Sequence, residues 1–294
     1  MATVKKATNF PAQLATEMFS LVRGHSSLAK MCGAQPIPFN GKDVFTFNFS
    51  SDVSVVGESD PKPAGDAAIA PVQIRPVKVV YQSRVSDEFI YGAEEAKLQY
   101  LKAFAEGFAV KLAAGLDKMG IHGINPAAGS ASSVIGNNHI DYAVGHYNSG
   151  SNVIEYTSGT DAADAKIEKA LSKIDAPNGI ILNKTMRDDI AGQTTNNGRK
   201  YPEFAWGATP ETLGGMTLDT NATAGADYAI VGDFNSFMWG YAKELPLEVI
   251  EYGNPDGGTY DLKRSNEVLL RSEAYIGWGI LNAADFAIVV APSN

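Results

Sequence analysis

The chain of 294 residues is 45% apolar and carries a formal charge of −9. That apolar share supports a sizeable buried core and excludes a disordered chain. The acidic balance is a poor match for tight sequence-specific DNA binding, whose affinity comes mostly from Lys and Arg neutralising phosphates.

Charge is unevenly spread. Up to residue 42 the basic residues are Lys5, Lys6, Arg23, Lys30 and Lys42, against the single acid Glu17. Such an arm either faces nucleic acid or an acidic partner, or is a solvated tail. Within it, Phe10, Leu14, Met18, Leu21 and Val22 recur at helical spacing, so residues 9 to 31 read as one or two amphipathic helices. Gly24 ends or kinks the first, and Pro36 and Pro38 stop any helix. Lys5 and Lys6 lead into mixed sequence and not into an apolar block, unlike a secretory signal. No stretch reaches membrane-spanning length. The lone Cys32 excludes an intrachain disulfide and suits a reducing cytosol; it reads as a small buried thiol. The triplets at Asn48, Asn183 and Asn221 then carry no glycosylation meaning.

From Val44 to Val56 the period changes to two. Phe45, Phe47 and Phe49 alternate with Thr46, Asn48 and Ser50, the pattern of a strand with one apolar face. A stretch with Gly57, Pro61, Pro63, Gly65 and Pro71 follows, and then Val72, Ile74, Val77, Val79 and Tyr81 read as a returning strand. This long hairpin is too narrow to hold its own core, and an isolated two-stranded ribbon is marginal in water. It must lie on the rest of its subunit or on a neighbour.

A long helix is expected next, capped by Ser86 or Asp87 and striped by Tyr91, Leu101, Phe104, Phe108, Leu112 and Met119. Gly107 and Gly115 weaken it by roughly 1 kcal/mol each relative to Ala, and close packing of another backbone would explain them. Asp117 to Gly123 ends the helix, and Asn125, Pro126 and Gly129 mark a turn. Residues 130 to 160 read as loop with short strands. Helices capped by Thr160 or Asp161, and by Asn183 or Thr185, then flank a buried strand at Ile180, Ile181 and Leu182, which suggests a small α/β lobe over 161 to 235. Strands at Leu245 to Tyr252 and Glu267 to Ile280 bracket the turn Asn254-Pro255-Asp256-Gly257-Gly258, and Phe286 to Val290 is a final strand.

Chemistry is scarce. His25, His122, His139 and His146 show no metalloprotease spacing, although His139, Asp141 and His146 are close in sequence. No nucleophile elbow or phosphate loop is present, and Gly277-Trp278-Gly279 lacks the rest of a dinucleotide fingerprint. Glu94/Glu95 and Asp188/Asp189 are helical neighbours about 100° apart, not acid/base dyads. Asp256 lacks calcium-loop spacing. No catalytic residue, cofactor or metal is expected.

Several short segments, in order, carry a resemblance: Gly57-Glu58 before Lys62, Val85-Ser86-Asp87-Glu88, Gly120-Ile121-His122-Gly123-Ile124-Asn125-Pro126, Pro177-Asn178-Gly179, Leu213-Gly214-Gly215, Val231-Gly232-Asp233-Phe234, Arg271-Ser272-Glu273-Ala274 and Asp285-Phe286-Ala287. Over nearly the whole chain this resembles the major capsid proteins of tailed bacteriophages, the Hong Kong-phage-type capsid fold. The resemblance implies an α+β chain with an amino-terminal arm (1–40), an extended loop (41–83), a peripheral domain with a long spine helix (84–160), an axial α/β domain (161–235), further peripheral strands (236–280) and a return to the axial domain (281–294).

It further implies a structural subunit of the virion, assembled in the host cytoplasm as hexamers and pentamers. The shell would enclose double-stranded DNA without sequence specificity, with portal and scaffolding proteins as partners and no membrane. Phe45, Phe47, Phe49, Glu58, Lys62, Asn254 and Asp256 are the expected inter-subunit contacts. Some family members join a lysine to an asparagine with help from a glutamate. Lys62 and Asn254, with Glu251 or Glu267 nearby, lie in suitable regions, but no motif matches. The arm is shorter than in members with a built-in scaffolding segment, so either a separate scaffold assists or the chain is already matured; Met1 favours the first. Two other readings are an encapsulin-type compartment, whose usual start differs from this one, and a metal-dependent enzyme using the loop histidines.

Overall fold

In the computed structural model, residues 25–49, 52–65, 67–90, 94–243 and 247–292 are described. The amphipathic helix expected from Phe10 to Val22, and the start of the helical stripe at Tyr91, lie outside them.

A short helix, α1 (Ser27–Met31), precedes the hairpin strands β1 (Lys42–Phe49) and β2 (Ala67–Ile74), then β3 (Val77–Ser86), a helical turn α2 (Asp87–Ile90) and the long helix α3 (Glu94–His122). The tiny hairpin β4 (Ile124–Asn125) and β5 (Ser130–Ala131), helix α4 (Ile140–His146), β6 (Val153–Glu155), α5 (Ala163–Leu171), β7 (Gly179–Leu182) and α6 (Lys184–Gly192) follow. After the small hairpin β8 (Thr194–Thr195) and β9 (Gly198–Arg199) come β10 (Thr212–Leu213), β11 (Met216–Thr220), β12 (Ala229–Gly232), β13 (Phe237–Lys243), β14 (Leu247–Ile250), β15 (Glu267–Ile280) and β16 (Phe286–Val290).

Two sheets organise the body. The first has six strands in the order β10-β11-β7-β12-β16-β6 and mixes parallel and antiparallel pairs. Its central strands are apolar at every position because both faces are covered. Ile180, Leu182, Val231 and Val289 point to one side, with Ile167 of α5 and Met186 and Ile190 of α6. Ile181, Ile230, Phe286 and Ile288 point to the other, with Phe108, Leu112, Leu116 and Met119 of α3 and Ile140 and Val144 of α4. The alternation in the sequence therefore separates two cores joined through one sheet.

The second sheet is built on the 14-residue β15. On one side it pairs with β3 from Glu267↔Ser86 to Ile276↔Val77. On the other it pairs with β13 and then β14, placed end to end. The outer edge of β13 is covered by the chain before the hairpin, where Gln35 and Ile37 donate backbone N–H bonds to Trp239 and Tyr241. Covering this edge removes a row of unpaired groups.

Several expectations are corrected. The returning strand predicted from Val72 to Tyr81 is two strands. Pro76 has no N–H to give, so the ladder breaks at Arg75-Pro76; β2 stays with β1, and β3 crosses to β15. Neither Ser86 nor Asp87 stands at the start of the long helix: Ser86 ends β3, and Asp87 opens the short turn α2.

The segment 130–160 is not only loop. It contains α4, capped by His139, whose ring nitrogen accepts the Tyr142 N–H at 3.2 Å, and it gives β6 to the six-stranded sheet. Ala162, and neither Thr160 nor Asp161, precedes α5; the Asp161 carboxylate instead accepts the Thr157 N–H and pairs with Lys166. Asn183 caps α6 as expected. Neither helical glycine meets another backbone: a Cβ at Gly107 would find open space, and one at Gly115 the Pro126 ring and the Met119 methyl.

Candidate functional site

The hairpin stands on a seat of glycines. Ile74, at its base, is fully buried, and a Cβ on Gly279 would lie 2.8 Å from the Ile74 side chain, one on Gly277 3.2 Å. Gly277 and Gly279, flanking Trp278, thus make room in β15 for the hairpin root; alternating glycines within a strand are the signal for such close approach. Away from the root the hairpin loses cover. Phe45, opposite Pro71, is 60% exposed. Phe47 and Phe49 continue β1 opposite Ile69 and Ala67. Beyond them Val53 and Val55 are fully exposed. The tip turns at Gly57–Asp60, where the Asp60 carboxylate accepts the Gly57 N–H at 3.2 Å, and Glu58 and Lys62 are exposed around it. Burying an aliphatic side chain gains about 1.5–3 kcal/mol, and these make no such gain within the subunit.

Asn254 and Asp256 sit elsewhere, on the loop between β14 and β15, where Arg84 holds them. The guanidinium donates to both Asp256 oxygens at 2.7 and 2.6 Å, to the Asn254 amide oxygen at 2.9 Å, to Glu267 at 3.0 Å and to the Tyr260 carbonyl at 3.1 Å. The Asn254 amide nitrogen donates to the Gly258 carbonyl at 2.5 Å. Arg84 holds the Asp256 carboxyl well below the usual carboxylate range, and its own charge is reinforced. Nothing in the sequence alone singled out Arg84; its signal is only its place at the end of β3.

Three of the motifs that carried the resemblance, at Asn178-Gly179, Gly232-Asp233-Phe234 and Asp285-Phe286, meet in space. The Asn178 side chain accepts the Phe234 N–H at 2.9 Å and donates to Asp233 at 2.5 Å. Gly179 lies in a strand, where a Cβ would strike Phe234 at 2.7 Å, so it serves close packing. Gly232 is likewise pressed against Phe286, and the Asp233 N–H donates to the Asp285 carbonyl. Gly214 and Gly215, both at positive φ, form the two-residue turn between β10 and β11, where L side chains are disfavoured. The Asn-x-Thr triplets are local caps: Asn183 accepts from Thr185 and Asn221 from Thr223, each through backbone and hydroxyl.

The histidines diverge. Asp141 binds His122 Nδ1 at 2.6 Å and the Tyr228 hydroxyl, His139 caps α4, and the His146 ring stacks on Tyr142 at 3.8 Å. Burial lowers the His139 pKa. Among the described residues no group of three or more His, Cys, Asp or Glu is placed to hold a metal. The Cys32 thiol donates to the Leu28 carbonyl at 2.9 Å, and burial pushes its pKa up to about 12, which suppresses the nucleophilic thiolate. No described helix is long and apolar enough to cross a membrane.

The architecture is a two-sheet body with a long helix and a hairpin that leaves Phe45, Val53 and Val55 exposed. The chain belongs to the phage capsid family, whose model matches residues 9–291. A solved chain of Mycobacterium phage Ogopogo is 32% identical, covers 91% of this chain and 92% of its own length, and superposes with a TM-score of 0.73. One of Gordonia phage Cozz is 22% identical over 92% of this chain and 87% of its own, with a TM-score of 0.74. A third, from the capsid of a native GTA particle computed with C5 symmetry, is 12% identical over 100% and 94%, with a TM-score of 0.61. No curated protein matches significantly by sequence. The protein is a structural subunit of a phage capsid, with the α+β tailed-phage capsid fold.

Proposed function

We propose that this subunit assembles as hexamers and pentamers into an icosahedral shell around double-stranded DNA, in the host cytoplasm, with scaffolding and portal proteins as partners and no catalytic role. The observation that supports it most is the hairpin: Phe45, Val53 and Val55 are exposed on a ribbon that the subunit's own core does not cover. Laid across a neighbouring copy, the same residues are buried, and closed symmetry repeats the contact around the shell. In this reading Glu58 and Lys62 at the tip meet polar groups of the neighbour, and the Arg84-braced loop carrying Asn254 and Asp256 is a second, rigid contact. Both ends of the Asn254 amide are engaged within the subunit, by Arg84 and by the Gly258 carbonyl, so we propose that subunits hold together without a Lys62–Asn254 cross-link. The acidic charge of −9 fits a wall that contains DNA without gripping it.

Electron microscopy of the purified protein, beside a size-exclusion profile, tests the proposal. Closed shells, or hexamers and pentamers, are expected. DNA or an enzyme within them separates the capsid from an encapsulin-type compartment, and a stable monomer even with a scaffolding protein co-expressed overturns the reading. A ladder of bands on denaturing gels overturns the non-covalent part alone.

A further inference from the structure

Trp206 is 99% exposed and its backbone is left-handed, with φ 62° and ψ 23°. Either feature alone is unfavourable. A bulky residue at positive φ is an outlier that persists only where its surroundings enforce it. Here both sides of the turn Pro202–Gly207 are pinned. Phe204 is fully buried in the core beneath α5 and α6. On the other side Arg187 donates to the Gly207 carbonyl at 3.1 Å, and Arg187 is itself held by Asp188. The Ala208 N–H returns to the Ala205 carbonyl at 3.2 Å and closes the bend. The turn therefore fixes an indole in solvent, at a conformation glycine would adopt at less cost.

Among the described residues from β6 to β12 and in β16, Trp206 is the only large apolar side chain that is exposed. The chain that carries it runs directly into β10, the outermost strand of that sheet. Indole side chains dominate the energetics of protein contacts because they bury a large area at little entropic cost.

We propose that Trp206 is the anchor by which this lobe docks on a second copy of the same chain within the shell. The proposal rests on the capsid reading: in a shell built from one protein, each subunit is flanked by copies of itself, and an isolated indole on a rigid turn needs a receiving surface on that copy. An exposed indole also stacks on unpaired bases, so the test is made in shells assembled without nucleic acid, where only a second copy covers it.

The protein reports on itself, because it has three tryptophans and the other two, Trp239 and Trp278, are 1% exposed. In subunits released from shells, acrylamide should quench a component of the emission that is missing from Trp206→Phe. In empty shells assembled without nucleic acid, wild type and Trp206→Phe should quench alike, and the wild-type emission should shift to the blue on assembly. Trp206→Gly separates display from folding. Its free subunits should melt at the wild-type temperature or higher, while the yield of shells falls at least tenfold.

A quenchable component in wild-type shells that Trp206→Phe lacks, or full shell yield from Trp206→Gly, overturns the anchor and leaves the capsid reading intact. A wild-type protein that forms no shell under any condition overturns both.

Discussion

Arg84 and Asp256, 172 residues apart, form a two-toothed ion pair with N···O distances of 2.7 and 2.6 Å. Three more donors from the same guanidinium reach Asn254, Glu267 and the Tyr260 carbonyl, so one side chain at the end of β3 organises the whole β14–β15 loop. Lysine cannot reproduce a planar fork of this kind. Arg84→Lys and Asp256→Asn should both speed protease cleavage between residues 253 and 262, with Arg84→Lys the worse because it loses several partners at once. Digestion followed by mass spectrometry checks this; equal protection of wild type and Arg84→Lys would show the loop to be rigid for another reason.

Glycines give a sharper contrast. A Cβ at Gly240 would stand 1.5 Å from the Gln35 carbonyl oxygen, part of the segment that covers the edge of β13. Backbone cannot step aside as a flexible side chain can, so Gly240→Ala should cost about 1–3 kcal/mol or more. At Gly107 a Cβ meets nothing, and the residue is inside α3. Gly107→Ala should therefore stabilise by about 0.5–1 kcal/mol. Urea denaturation of the two variants beside wild type should move the midpoint in opposite directions.

Much of the fold is legible in residue order because local period and burial agree. The strand at Glu267 to Ile280 and the final strand at Phe286 to Val290 stand where alternation and apolar runs place them. What was not legible depends on partners distant in the chain. The break at Pro76 is visible in the sequence, but the transfer of β3 to β15 is a long-range pairing that no local pattern specifies. Helix α4 has only Ile140 and Val144 buried in seven residues and a histidine cap, too little for a helical stripe. The aromatic stripe of β1 is legible in the sequence as a surface needing cover, whereas Arg84 and Trp206 matter through geometry alone: five donated bonds in one case, a positive φ in the other.

The hairpin offers a test that separates folding from assembly. Phe45 is 60% exposed and Val55 fully so. A charge there costs the lone subunit little, since exposed substitutions usually stay within about 0.5 kcal/mol. If the hairpin lies on a neighbour as proposed, the same charge is buried there without a partner, at a cost of several kcal/mol per contact. Phe45→Asp and Val55→Asp should keep the melting temperature of the free subunit and abolish shells by electron microscopy. Normal shells from both would place the hairpin outside the contacts that hold the wall together.

Asp117 links three parts of the subunit and titrates in an accessible range. Only 2% exposed, its carboxylate accepts from the Ser26 hydroxyl, the Ser27 and Leu28 N–H groups and the Asn221 amide, so it ties α1 and the β11–β12 connection to α3. No cation is among those donors. Desolvation therefore outweighs the four hydrogen bonds and pushes the pKa up to about 6 from the ordinary 3.8. A carboxyl whose folded pKa is raised binds its proton more tightly when folded. Its contribution to stability is fully present below about pH 3.8 and is lost as pH rises through about 6. The two-unit gap corresponds to at most about 3 kcal/mol, at 1.36 kcal/mol per unit. Other carboxylates oppose this trend, Asp256 with its depressed pKa among them, so the group is isolated by difference. Asp117→Asn should lower stability at every pH, because an amide nitrogen cannot accept from the donors around it. The loss should be larger at pH 4.5, where wild type keeps the proton-linked gain, than at pH 7.5, where that gain is gone. Melting temperatures of both proteins across that window check it; a loss that is constant or grows with pH would mean that Asp117 is held ionised by its four donors throughout.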